Sequence, residues 1–143
     1  MMIKFWGVRG TVPCPGAKTI KYGGNTACIE VRLKDSDRQL IIDAGSGIRE
    51  LGHEMVHKDL PRGPISTEIF LTHTHLDHIV GFPFFTPIYI KGTKIKIYGP
   101  VTYEDDPLEN VFSGQFTYRY FPIRWEELAS ELEFVKIRED RLD

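Results

Sequence analysis

Apolar residues recur along this chain in two rhythms. Ala27, Ile29, Val31 and Leu33 alternate with Cys28, Glu30, Arg32 and Lys34, the period of two that marks a strand with one wet face. Asp35-Ser36-Asp37 turns the chain, and Gln39-Leu40-Ile41-Ile42 reads as the antiparallel partner, so the pair predicts a hairpin. Ile48, Leu51, Met55 and Val56 instead share one helical stripe, predicting a helix of about three turns that ends before Pro61. Further strands are predicted over Ile3–Trp6, Glu68–Thr72, Lys94–Tyr98 and Glu133–Ile137. A helix is predicted to open across Ile79–Phe85, with Gly81 and Pro83 in its first turns, and two more at Leu108–Phe112 and Trp125–Leu132. Gly7, Gly10, Pro13, Pro15 and Gly16 make the segment after the first strand a surface loop.

No repeat or linker divides the pattern, so residues 1–143 are expected to form one domain. At 41% hydrophobic and 27% charged residues the chain can bury a continuous core without disulfides. Its net charge of -2, with no long run of Lys or Arg, argues against a general nucleic-acid surface or an acidic-membrane surface. The first ten residues are interrupted by charge too early for a signal peptide, and no stretch approaches ~18 apolar residues. A cytoplasmic protein is expected, with no membrane contact. Cys14 and Cys28 match no metal or redox spacing and are expected to be reduced thiols without chemistry.

Candidate chemistry is concentrated after the strand that ends at Thr72. His73, His75, Asp77 and His78 lie within six positions and include three of the five histidines. Imidazole and carboxylate donors suit zinc, manganese or iron, and the absence of cysteine argues against a thiolate-rich structural site. In an extended loop His73 and His75 point the same way and can chelate one ion, while Asp77 and His78 can address a second. Two ions bridged by a hydroxide would provide a nucleophile at neutral pH and Lewis acids for the attacked group. His53 and His57 are also spaced to share a helix face, where exposed histidines are far commoner than a metal site.

The run His73-Thr74-His75-Leu76-Asp77-His78 resembles the signature of the metallo-β-lactamase superfamily, and Leu40–Gly47 is similar to that superfamily's strand and turn carrying a supporting aspartate, here Asp43. Phe5–Pro13, Tyr22–Thr26, Gly81-Phe82-Pro83 and Tyr120-Phe121-Pro122-Ile123 are similar to a branch near the phosphodiesterases and tRNA 3'-end processing nucleases. The resemblance implies an α/β fold: an α/β/β/α sandwich of two similar halves, this chain supplying the first, with a mixed, mainly antiparallel sheet and flanking helices. It also implies a dinuclear divalent-metal site, zinc first, held by His73, His75, Asp77 and His78. Asp77 and His78 would be catalytic, and Asp43 would orient the ligands through hydrogen bonds.

The implied reaction is hydrolysis of a phosphodiester, in a small molecule or nucleotide, by a metal-bound hydroxide; a thioester or other acyl hydrolase is the alternative. Arg9 could orient a phosphate with its guanidinium fork, or equally be a loop arginine paired with a carboxylate. No histidine follows His78, and none of Asp105, Asp106, Asp140 and Asp143 resembles the family's bridging aspartate. The chain is therefore expected to be truncated at its carboxyl end. It would leave an apolar sheet face that a second copy could cover as a homodimer; the alternative to a competent enzyme is a catalytically incomplete metal-binding half-domain.

Overall fold

The computed structural model describes residues 1–34, 36, 38–100 and 106–137. Six strands form one sheet in sequence order: β1 (Met2–Gly7), β2 (Cys28–Arg32), β3 (Gln39–Ile42), β4 (Ser66–Phe70), β5 (Lys94–Pro100) and β6 (Glu131–Ile137). β1, β2 and β3 are joined antiparallel, with a bulge in β1 between Phe5 and Gly7. From β3 onward every pairing is parallel, so each link must cross over the sheet. The crossovers contain α1 (Ile48–Lys58), α2 (Leu76–Ile79) and α3 (Leu108–Ser113). The mixed α/β sheet agrees with the expected fold class. The balance does not: parallel pairing predominates, because the later strands are connected by helices and not by hairpins.

All the crossovers lie over one face. Ile41, Ile69, Ile95 and Ile97 point from the strands into a core completed by Ile48, Leu51 and Met55 of α1, then Phe82, Phe85, Ile88 and Phe112. Phe82 meets Phe112 edge to face with ring centroids 4.6 Å apart, and Phe116 meets Trp125 at 5.3 Å. The opposite face carries Val31, Leu40, Ile42, Phe70 and Ile137, all only half-buried, around a shallow apolar hollow. Phe5 and Ile3 at the β1 edge are exposed.

This arrangement reverses the wet and dry faces read from β2. Cys28 and Glu30 are fully buried toward α1, while Ile29 and Val31 lie on the uncovered side. The inversion is tolerated because Glu30 accepts hydrogen bonds from Trp6 Nε1 at 2.9 Å and Gln39 Nε2 at 2.7 Å, and pairs with Arg32.

Two helices differ from expectation. α2 stops at Ile79, and Phe82–Phe84 and Thr86–Tyr89 form short 3-10 turns, since Pro83 and Pro87 cannot donate the amides a continuous helix needs. Trp125–Glu127 is a single turn; Leu128 is extended, and the amides of Ala129 and Ser130 donate to Ile88 O, which leads the chain directly into β6. The expected turn residues Asp35 and Asp37 lie outside the described residues. Among the described residues no helix is long and apolar enough to cross a membrane.

Candidate metal centre

The cluster forms where the carboxyl ends of β3 and β4 lie side by side. The segment Asp43–Gly47 packs directly on α2 and the residues that follow it: Ala44 N–H donates to His78 O at 2.7 Å, and Gly81 N–H donates to Ala44 O at 3.0 Å. A Cβ on Gly81 would sit 2.0 Å from Gly45 O, so this contact requires glycine. The same segment is fastened to the end of the loop before β2. Ser46 N–H donates to Thr26 Oγ1 at 2.8 Å, and Thr26 N–H donates to Ser46 Oγ at 3.0 Å.

Asp43 is buried at 4% exposure and holds a left-handed backbone, φ 62°. Aspartate tolerates that region better than most residues, but the conformation is uncommon and worth a functional reading. Its Oδ1 accepts from Thr72 N–H at 2.8 Å, and Thr72 Oγ1 lies 3.0 Å from both carboxylate oxygens. Asp43 Oδ2 is 2.8 Å from His78 Nδ1. A carboxylate only accepts, so His78 donates from Nδ1 in this contact and its Nε2 lies on the side of Asp77. Asp43 therefore spans the end of β4 and α2, and orients the ring of a candidate ligand.

His73, His75 and His78 are brought together. The His73 and His78 ring centroids are 4.0 Å apart, and those of His73 and His75 are 4.6 Å apart at 77°. Asp77 Oδ2 lies 3.4 Å from His78 Nε2. The same oxygen accepts from Thr11 N–H at 2.8 Å, and that bond, reinforced by the neighbouring His78 and His73, holds the Asp77 carboxyl below the usual carboxylate range.

These donors suit a divalent ion in chemical type. Among the described residues, however, no three ligating side chains are disposed to hold an ion between them.

Other candidates stay outside the cluster. His53 and His57 are exposed on α1. Arg9 is half-buried, its Nε donates to Val12 O at 3.0 Å, and among the described residues it forms no ion pair with a carboxylate. Asp106 accepts from Asn110 at the start of α3, and Asp105, Asp140 and Asp143 lie outside the described residues. Cys14 is exposed and Cys28 buried, where burial pushes the thiol well above its ordinary range.

Sequence reasoning missed Thr72 and Thr11. A hydroxyl residue immediately before the first histidine was a usable signal for Thr72. Nothing local could have paired Thr11 with a carboxylate 66 positions away.

Comparison with known proteins places these features. The family described as Anti-Pycsar protein Apyc1 matches residues 16–141. Ribonuclease Z of Prochlorococcus marinus strain MIT 9312 is 27% identical over 133 residues, covering 91% of this chain and 39% of that protein. Ribonuclease Z of Synechococcus sp. strain CC9605 is 26% identical over 118 residues, covering 80% and 32%. The crystal structure of the metallo-β-lactamase fold protein YhfI from Bacillus subtilis superposes with a TM-score of 0.56 at 18% identity, covering 97% of this chain and 46% of that one. The fold is thus a partial metallo-β-lactamase fold. The chain spans 32–39% of the length of these curated relatives.

Proposed function

This chain belongs to the Anti-Pycsar protein Apyc1 family, and from that premise we propose that it carries the metal-binding part of a metal-dependent phosphodiester hydrolase of the metallo-β-lactamase superfamily. The observation that supports the reading most is the packing of His73, His75 and His78 at one strand end, with His78 oriented by the buried Asp43. Similarity to proteins named Ribonuclease Z supports an RNA phosphodiester over acyl substrates, with a cyclic nucleotide as the other phosphodiester to test.

In this proposal His73, His75, Asp77 and His78 would hold one or two divalent ions, zinc first and manganese or iron as alternatives. When bound, such an ion acidifies water and neutralises charge on phosphorus-bound oxygens. Asp43 accepts from His78 Nδ1, which leaves Nε2 as the ring nitrogen on the Asp77 side for an ion. Thr72 ties that carboxylate to the end of β4 and limits rotation of the cluster. Asp77, held ionised, is available to ligate or to accept a proton at Oδ2.

The lack of three convergent ligands among the described residues favours a second reading, in which this chain binds an ion but needs further donors to turn over. The apolar face bearing Leu40, Ile42 and Phe70 is where a further layer, such as a second copy, would pack in either case.

Metal uptake and turnover test both. The purified chain is loaded with Zn2+ or Mn2+, its metal content is measured, and it is assayed on bis(p-nitrophenyl) phosphate, a cyclic nucleotide and a thioester. Hydrolysis of the phosphodiesters alone is expected from the first reading; ion binding without turnover is expected from the second. His73→Ala and His75→Ala should each weaken binding by at least ~10-fold, whereas His53→Ala and His57→Ala should not. Parent-like binding by both cluster variants would refute the site.

A further inference from the structure

The loop after β1 reaches the cluster at a strained turn. Val12 N–H donates to Gly10 O at 2.9 Å, closing a three-residue turn about Thr11, whose φ is 73°. This is the rare sense of the γ-turn, and a β-branched residue is poorly suited to its centre. Neighbouring contacts hold it there. Arg9 Nε donates to Val12 O at 3.0 Å, Val8 and Arg9 donate their amides to Asn25 O, and Arg9 bridges Thr26 in parallel register. The turn points the Thr11 amide at Asp77 Oδ2, the oxygen that also faces His78 Nε2.

We infer that the turn at Thr11, clamped by Arg9, is a positioning device that fixes the Asp77 carboxylate for ligation; Thr11 and Arg9 are positioning residues that act through Asp77. Arg9 Nε is committed to the turn and its backbone to Asn25 and Thr26, which ties the residue to the loop that carries Thr11. A strained backbone persists only where its surroundings over-determine it, and here the turn they hold presents its central amide to a candidate ligand. The inference rests on the metal-dependent reading only in taking Asp77 as a ligand.

The test compares Thr11→Pro, which removes the amide donor and cannot adopt the turn, with Thr11→Gly, which keeps the donor and relieves the strain. Zn2+ binding to each metal-free full chain is measured by calorimetry, with thermal unfolding as a control for folding. Thr11→Pro should weaken binding by roughly 10- to 100-fold, as loss of an orienting partner does, and Thr11→Gly should stay within about 3-fold of the parent. Arg9→Ala should weaken Zn2+ binding while leaving affinity for inorganic phosphate unchanged.

In an Asp77→Ala background Thr11→Pro should have no further effect on ion affinity. Equal weakening by Thr11→Pro and Thr11→Gly, additive effects with Asp77→Ala, or loss of phosphate affinity alone in Arg9→Ala would overturn the inference. Amide exchange at Thr11 in the metal-free chain separates it from the metal reading. Protection that disappears in Asp77→Ala supports the contact even if no ion binds, whereas an unprotected Thr11 amide refutes it whatever the ion does.

Discussion

Glu30 within β2 and Asp43 just beyond the end of β3 are both buried carboxylates, yet their surroundings differ. Glu30 is closed on itself: Trp6, Arg32 and Gln39 donate to it, and Arg32 is in turn held by Asp59 through bonds of 2.9 and 2.7 Å. None of those partners belongs to the histidine loop, so the network holds β1, β2, β3 and the end of α1 together. Asp43 is open at one end. Its partners Thr72 and His78 belong to the loop and helix that carry the histidines, and its own backbone is strained. A closed network stabilises; an open one passes orientation to a group that something else can bind.

Substitutions can break this contrast. The largest expected effect is Glu30→Ala, which leaves the Arg32 guanidinium and two N–H donors without their shared partner; unfolding in urea should show a loss of about 3–5 kcal/mol. Zn2+ affinity of the folded fraction should stay near the parent's, and a fall as large as that from an Asp43 variant would erase the distinction.

Asp43→Asn is expected to reverse the ranking. Asparagine accepts the left-handed backbone, so the change removes charge with little shape; stability should fall by about 1–3 kcal/mol and Zn2+ affinity by roughly 10- to 100-fold. If calorimetry found parent-like affinity, Asp43 would be a structural residue like Glu30.

The smallest effect concerns exposed carboxylates, which sharpen the contrast from outside. Lys4 holds Glu54 below the usual range and Arg38 does the same for Glu68, in pairs that remain partly in water. Both folded-state values are depressed, so the pairs add stability above the unfolded value of about 4.3 and lose it as pH falls through the lower folded values. Melting temperature measured from pH 6 to pH 3 should drop less steeply in the double variant Glu54→Gln, Glu68→Gln, by about a degree or two. A larger change would mean that surface pairs rival the buried networks.

Much of the architecture was legible because it is local. The stripe Ile48, Leu51 and Met55 identifies α1, and the alternation in Lys94–Tyr98 identifies β5, since each period is set by the backbone alone. The donor types in His73, His75, Asp77 and His78 were visible for the same reason. The phase of β2 was not, because whether Glu30 or Val31 turns inward depends on Trp6 and Gln39 arriving from other strands. Pro83 and Pro87 could have warned against a long helix after Ile79, as a missing amide is a property of the residue itself.

The sequence by itself determined the alternating order of strands and helices, the ligand-type residues and their place at a strand end, because these follow from side-chain chemistry and short-range periodicity. Only the tertiary structure decided that Thr72 joins Asp43 and His78, that Thr11 meets Asp77, and which residues face the uncovered side of the sheet. Those contacts join residues far apart in the chain, and their geometry is set by how the parallel crossovers all fall on one side of the sheet.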